Sequence, residues 1–176
     1  IAAYFDTREV APLAAGLALS ATVGCGFTAQ LGAMRISEEI DAMAVLGVNP
    51  VQRLIVPRVL AAMIVAVLLN GLVSVVGVVG GYYFNVVLQG GTPGAYLASF
   101  NALAQVPDLW ISEIKAALFG FVAGIVAAYR GLNPAPGPKG VGDAVNQTVV
   151  ITFLLLFLIN VVLTAIYLNL VPPKGM

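Results

Sequence analysis

The chain has 176 residues, of which 60% are apolar and only 9% are charged, against about 25% charged in ordinary soluble domains. Eight basic residues balance eight acidic ones, which excludes a nucleic-acid-binding protein driven by basic charge. The sequence has no histidine and a single cysteine, Cys25, which excludes histidine-based catalysis, an internal disulfide and a cysteine-rich metal site. This composition predicts a membrane protein with several spans.

Four apolar stretches are each long enough to cross a membrane as a helix, because about 20 helical residues cover ~30 Å of hydrocarbon. They comprise residues 10–33, 59–88, 109–129 and 144–171. The second stretch is longer than the hydrocarbon core, which predicts a tilted span or an extension into the headgroup region. We therefore predict an all-α, polytopic membrane protein with four spans in this sequence.

The loops between the apolar stretches differ in their basic residues. Residues 34–58 contain three arginines and residues 130–143 contain Arg130 and Lys139, whereas residues 89–108 contain neither Lys nor Arg. Cytoplasmic loops of membrane proteins carry the excess of Lys and Arg. We therefore predict that the first two loops face the cytoplasm and that the third faces outward.

Two of these loops contain helix-breaking residues. In the outer loop, Gly90 and Pro93 precede a helical pattern that begins at Ala95 and that we expect Pro107 to stop. We therefore predict a short external helix. The inner loop 131–140 is rich in Pro and Gly, and we expect it to hold no regular structure.

The first inner loop is predicted to contain a short amphipathic helix over residues 37–46, too short to span a membrane. Ser37 is a favourable N-cap, and the two glutamates after it match the positive end of the helix dipole. Gly47 matches the C-terminal stop, with Pro50 following it. The helical repeat predicts one apolar stripe, formed by Ile36, Ile40, Met43 and Leu46.

The pattern leaves two interpretations of this helix open. In one, the helix lies on the inner leaflet as a connector between spans. In the other, its exposed ridge docks into a groove on a cytoplasmic partner, as amphipathic helices do. Acidic residues beside an anionic leaflet argue against simple adsorption to lipid.

The same loop carries a resemblance to known transporters. The residues that resemble the cytoplasmic coupling loop of ABC-type permeases are Asp41, Ala42, Met43, Gly47, Ile55 and Pro57. Residues 8–62 and 139–169 are similar to the MlaE family of lipid-transport permeases. The hydrophobic character and the C-terminal VPPKGM most resemble the YrbE permeases of actinobacterial Mce systems.

This resemblance implies an MlaE-type permease fold over residues 1–176, with a cytoplasmic coupling helix and a short external helix. Relatives have an interfacial helix and a further span before this point, so the start at Ile1 rather than Met indicates a missing N-terminal segment. The coupling helix would enter a separate ATPase. The residues implied to make that contact are Glu38, Glu39, Asp41, Met43, Leu46, Gly47 and Pro50.

The resemblance also implies partners and a location. The expected assembly contains a second YrbE-like permease, two ATPase subunits that bind ATP and Mg, and Mce proteins with MCE domains on the outer side of the plasma (inner) membrane. The substrate is expected to be a lipid that is imported. No nucleic acid, metal or cofactor is expected in this chain.

One feature of the sequence agrees independently with a separate ATPase. The phosphate-binding pattern G-x-x-x-x-G-K-[ST] does not occur in the chain. We therefore expect a non-catalytic transporter subunit that takes its energy from another protein. The resemblance implies that the function is import of fatty acids or related lipids. The alternatives are an ion-gradient secondary transporter or channel, and a non-transporting scaffold for MCE proteins.

Two charged residues lie within a predicted span, where charge is costly. Glu113 and Lys115 are two positions apart and therefore do not pair along one helix. In one interpretation Lys115 extends to the outer headgroups and Glu113 lies at the interface. In the other, Lys115 faces a cavity and holds an anionic lipid headgroup. MlaE-like permeases carry a Lys at this position beside their lipid pocket.

Weakly polar residues recur along the first and last spans. Thr22 and Gln30 fall on one helix face with small residues, and Asn160 lies one turn before Thr164. Such faces serve either close helix packing or a lipid path. Proteobacterial relatives carry charged residues at these three positions, so the resemblance predicts that Lys115 lacks a charged partner within the membrane unless another chain supplies one. The predicted lipid pocket comprises Lys115, Glu113, Thr22, Gln30 and Asn160.

Overall fold

The computed structural model describes residues 9–103 and 106–170. Every regular element in these ranges is helical, which confirms the all-α class. The helices are α1 (Ala11–Ile36), α2 (Glu39–Val45), α3 (Val56–Tyr82), α4 (Pro93–Leu103), α5 (Val106–Leu132) and α6 (Gly137–Leu170). Wider π-helical turns, Val51–Ile55 and Tyr83–Leu88, extend α3 at both ends.

Four helices are long and apolar enough to cross a membrane, as predicted. They cover Ala11–Ile36, Val51–Leu88, Asp108–Leu132 and Gly137–Tyr167. Each is longer at its inner end than the apolar stretch alone, because helical hydrogen bonding continues into polar residues beyond the hydrocarbon core. The predicted end of the last span at residue 171 lies outside the described residues.

Two expectations about the loops are wrong in detail. The inner loop is not irregular over 131–140, because α5 continues to Leu132 and α6 already begins at Gly137. Gly137 has a φ of +85°, a left-handed conformation that glycine adopts without steric cost, and it turns the chain directly into α6. Pro107 does not stop the external helix but lies in the first turn of α5, where proline needs no hydrogen-bond partner.

The helices α1 and α5 form the centre of the bundle, with α3 and α6 against them. Small residues permit this close approach. A Cβ atom on Gly120 would lie 2.7 Å from the carbonyl oxygen of Ala62, so α5 contacts the backbone of α3 directly. Close packing through small residues is typical of membrane helices, which lack a hydrophobic driving force for association.

Polar contacts fix which helix ends lie together. At one end, the Thr28 hydroxyl donates to the carbonyl oxygen of Ala127 at 3.2 Å and contacts the Thr148 hydroxyl at 3.1 Å. This end also carries α2 and the link between α5 and α6. At the opposite end, the Tyr96 hydroxyl of α4 donates to the carbonyl oxygen of Val78 at 2.9 Å. The two predicted inner loops therefore lie at one end of the bundle, and the external helix lies at the other.

Candidate functional site

The short helix α2 begins two residues later than predicted, and the N-cap role of Ser37 is wrong. The Ser37 hydroxyl donates to the carbonyl oxygen of Ala33 at 3.1 Å, one turn back in α1. A serine that bonds to the preceding turn in this way closes the helix it follows. The chain then turns through Glu38, whose φ is 59°, and α2 starts at Glu39.

The other end of α2 is closed by Gly47, as predicted. Gly47 has a φ of +75°. Its amide donates to Ala44 at 3.1 Å, and the amide of Val48 donates to Met43 at 3.0 Å. These two bonds form a Schellman motif, which satisfies the last carbonyl groups of a helix. Pro50 lies three residues after Gly47 and starts the helical chain into α3. The seven-residue helix therefore has a sharply defined end.

The predicted apolar stripe divides into two parts. Ile40 is buried against the bundle, whereas Leu46 and its neighbour Val45 are 78% and 88% exposed. An ion pair between Arg35 and Asp41 joins the end of α1 to α2. The helix is thus attached on one side by Ile40 and Asp41 and presents an apolar tip on the other. The acidic residues Glu38 and Glu39 are exposed, and the role of this surface in docking stays a prediction.

Lys115 is buried and paired, so the interpretation in which it extends to the outer headgroups is wrong. Its side chain is only 2% exposed, and its ammonium lies 3.2 Å from each carboxylate oxygen of Glu9. It also donates to the Thr164 hydroxyl at 2.8 Å. The expectation that Lys115 lacks a charged partner is also wrong, because Glu9, directly before α1, supplies the charge from the same chain.

Asn160 lies one helical turn below this cluster. With Glu9 and Thr164 it lines an apolar groove of about 510 Å³ between the start of α1 and the outer half of α6, which we call the outer groove. The side-chain oxygen of Asn160 is buried without a hydrogen-bond partner among the described residues. The outer groove therefore combines apolar walls with polar atoms at one end.

Thr22 and Gln30 line a second groove, which we call the inner groove. It has a volume of about 760 Å³ and lies between α1 and α3. Its lining comprises Leu19, Thr22, Val23, Gly26, Phe27, Ala29, Gln30, Ala61, Ala62 and Val65. The predicted polar face of α1 is thus open rather than packed within the chain. Arg58 donates to the side-chain oxygen of Gln30 at 2.9 Å and closes the end nearest α2.

Glu113 faces α3, on a different side of α5 from Lys115. One carboxylate oxygen lies 3.9 Å from the position a Cβ atom would take on Gly71. The other is buried without a hydrogen-bond partner among the described residues. Beside it, Asn70 donates to the Ser112 hydroxyl at 3.0 Å across the same interface. Glu113 therefore belongs to the contact between α3 and α5.

The five residues predicted to form one lipid pocket lie in three places. Asn160 lines the outer groove, and Lys115 contacts two residues that line it. Thr22 and Gln30 line the inner groove. Glu113 lies in the contact between α3 and α5. Sequence reasoning missed two further charged residues, Glu9 and Arg58. Each lies directly before an apolar stretch, where a charged residue ordinarily marks the end of a span. Their contacts with other helices become visible only in the assembled bundle.

The family described as Permease MlaE matches residues 1–166. A probable ABC transporter permease protein of Rickettsia prowazekii is 34% identical over 161 residues, covering 92% of this chain and 62% of the relative. A probable ABC transporter permease protein of Synechocystis is 34% identical over 154 residues, covering 88% of this chain and 59% of the relative.

A plant protein is also similar to this chain, at lower sequence identity. The chloroplastic protein TRIGALACTOSYLDIACYLGLYCEROL 1 of Arabidopsis thaliana is 27% identical over 161 residues, covering 92% of this chain and 46% of the relative. The chain spans about three fifths of the length of the bacterial relatives. Because the family match extends over nearly all of its residues, the chain belongs to the MlaE permease family.

Proposed function

We propose that this chain is the membrane-spanning subunit of an ATP-driven lipid transporter that imports fatty acids or related lipids. Family membership and the names of the bacterial relatives support an ABC-type permease. In this proposal a separate ATPase pair binds ATP and Mg, and a second YrbE-like permease completes the membrane part. Mce proteins with MCE domains stand on the outer side.

The observation that carries the coupling role is the exposed tip of α2. Val45 and Leu46 expose most of their apolar surface, at the end of the bundle that the basic residues predict to be cytoplasmic. An apolar surface in water is unfavourable unless a partner covers it. The Arg35–Asp41 ion pair and buried Ile40 attach α2 to the end of α1. A partner that moves the tip would therefore move α1, which lines both grooves.

The cluster formed by Lys115, Glu9 and Thr164 supports a lipid contact near the external end of the bundle. Lys115 holds a positive charge below the outer surface, and Glu9 neutralises it in the described structure. A lipid headgroup that reaches the outer groove would compete with Glu9 for the ammonium and with Thr164 for its hydrogen bonds. In this proposal the apolar wall of the groove takes the acyl chain, and Asn160 offers a further polar contact.

The decisive experiment is transport by the complete complex in proteoliposomes. The full-length permease, its ATPase and its outer partners are reconstituted, and entry of a labelled fatty acid is measured with and without ATP. We expect ATP-dependent entry that a hydrolysis-deficient ATPase abolishes. Entry that persists with the inactive ATPase and follows a proton or sodium gradient would favour the secondary-transporter alternative, for which Glu113 offers a buried carboxylate oxygen.

A further inference from the structure

The inner groove has features that the coupling role of α2 does not use. It runs along α1 from Leu19 to Gln30, about 16 Å at the helical rise per residue. Its volume of about 760 Å³ lies within the range of ~300–1,000 Å³ that ligand pockets occupy. Its walls are apolar apart from the Thr22 hydroxyl and the Gln30 amide. It therefore suits a ligand with a long apolar part.

The end of the inner groove nearest α2 carries a positive charge. The Arg58 guanidinium donates to the side-chain oxygen of Gln30 and lies 6.0 Å from the centre of the Phe27 ring. These two contacts hold a cation beside two residues that line the groove. Gln30 is neutral, and no carboxylate of the described residues forms an ion pair with Arg58. The charge of Arg58 is therefore not balanced by the part of the chain that the structure describes.

One nitrogen of Arg58 also needs an acceptor. Nη1 is buried and has no hydrogen-bond partner among the described residues. A buried donor without an acceptor costs free energy, more so when the group is charged. An anion in the inner groove would balance the charge, and a rotation of the Arg58 side chain would bring Nη1 to it as a donor. Guanidinium groups bind carboxylate and phosphate oxygens particularly well.

The depth of Arg58 limits the source of such an anion. It lies in the first turn of α3, beside Gln30, which is six residues before the end of α1. By the distribution of basic residues, this end faces the cytoplasm. The cytoplasmic leaflet is the one that carries anionic lipids. A lipid of that leaflet would place its headgroup at Arg58 and its acyl chain along the apolar walls.

From these observations we infer that the inner groove is a binding site for an anionic lipid of the cytoplasmic leaflet, with Arg58 as its headgroup contact. The site is separate from Lys115, which lies toward the opposite end of the bundle. Its role in transport rests on the proposed function, but binding itself needs no ATP. The two proposals therefore fail independently.

The test is photolabelling of the full-length permease in complex with its ATPase, in phosphatidylcholine nanodiscs without nucleotide. One preparation contains a phosphatidylglycerol probe with a diazirine in its acyl chain, and the other contains a phosphatidylcholine probe with the same chain. Labelled peptides are identified by mass spectrometry. We expect the anionic probe to label residues 19–30 and 61–65 about tenfold more than the zwitterionic probe. This is the difference in affinity that one additional hydrogen bond to a charged group produces.

Two pairs of variants separate charge from shape. Arg58→Gln is expected to lower labelling by the anionic probe about tenfold and to leave the zwitterionic probe unchanged. Arg53→Gln, which removes the same charge from an exposed residue, is the matched control. Gly26→Leu is expected to lower labelling by both probes, because a Cβ there meets nothing within 4 Å and the new side chain enters the groove. Gly80→Leu, with equally open space, is its control.

Several results would overturn the inference. Equal labelling by the two probes, or equal effects of Arg58→Gln and Arg53→Gln, would show that the groove does not select an anionic headgroup. Absence of label from residues 19–30, together with a disulfide between the Cys25 residues of two copies, would assign the groove to a contact between chains. Loss of ATP-driven transport with labelling intact would count against the proposed function alone.

Discussion

The ammonium of Lys115 lies 3.2 Å from both carboxylate oxygens of Glu9, across 106 positions of sequence. The pair joins the outer part of α5 to the residue two positions before α1. A hydrogen bond from Lys115 to Thr164 adds α6. Because the lysine side chain is only 2% exposed and the glutamate 14%, the pair is largely removed from water. Its two charges therefore depend on each other.

Removal of either member of this pair should destabilise the fold. Lys115→Met leaves the Glu9 carboxylate buried without its cation, and we expect a loss of about 3–5 kcal/mol in the free energy of unfolding. Combining it with Glu9→Gln should recover part of this loss, because neither charge then remains buried alone. Thermal unfolding of the detergent-purified protein measures both.

The exposed ion pair of Arg35 with Asp41 provides the control for this comparison. Their side chains are 43% and 61% exposed, so Arg35→Gln should cost no more than about 1 kcal/mol. If Lys115→Met unfolded at the same temperature as Arg35→Gln, the buried pair would not hold the helices together. If the double variant were as unstable as the sum of its parts, the two charges would not be coupled.

The contact of α5 with α3 predicts a second stability effect. In Gly120→Ala, the new methyl group would lie 2.7 Å from the carbonyl oxygen of Ala62 and 2.8 Å from the Cα of Met63. Since backbone atoms cannot rotate away, we expect a loss of about 1–3 kcal/mol, measured by thermal unfolding. Gly80→Ala is the matched control, because a Cβ there meets nothing within 4 Å. Equal stability of the two variants would contradict direct backbone contact.

The spans and the short inner helix were predictable from sequence because they depend on local properties. A run of about 20 apolar residues forms a spanning helix whatever its neighbours are. A glycine such as Gly47 marks a helix end through its own backbone conformation. Ser37 shows the limit of this reasoning, because a serine favours an N-cap in general but here bonds backward to Ala33. Both arrangements have the same sequence pattern.

The site residues were less predictable because their grouping depends on how each helix is rotated about its axis. Lys115 and Glu113 are two positions apart, so one turns toward α1 and α6 while the other turns toward α3. No property of the sequence pairs Lys115 with Glu9, and none brings Arg58 to Gln30. These contacts exist only after four helices have packed, since each joins residues on different helices.

The exposed tip of α2 predicts a loss of ATPase binding without a loss of folding. Replacing both Val45 and Leu46 with Asp should leave thermal unfolding unchanged, because these side chains are 88% and 78% exposed. It should reduce co-purification of the ATPase by at least about tenfold if these residues anchor the interface. Lys139→Asp adds negative charge to an exposed position in the first turn of α6, at the same end of the bundle, and should leave the complex intact.

The acidic start of the same helix can be tested separately. Reversing the charges of Glu38 and Glu39 to Lys should weaken the ATPase contact if basic residues of the partner face them, because like charges across an interface repel. The effect should grow at low salt, where screening is weak. Transport and complex formation that are unchanged at low salt would remove these two glutamates from the coupling surface, while the apolar tip would keep its separate test.

The orientation of the bundle gives the last prediction, made on a Cys25→Ala background. Val45→Cys, at the exposed tip of α2, should react with a membrane-impermeant maleimide only after the membrane is opened, because the arginine-bearing loop is predicted to face the cytoplasm. Ser99→Cys, exposed on α4, should react in intact cells. The two positions lie at opposite ends of one bundle, so their accessibilities must be opposite. Reaction of Val45→Cys in intact cells would invert the topology and move Arg58 to the outer leaflet.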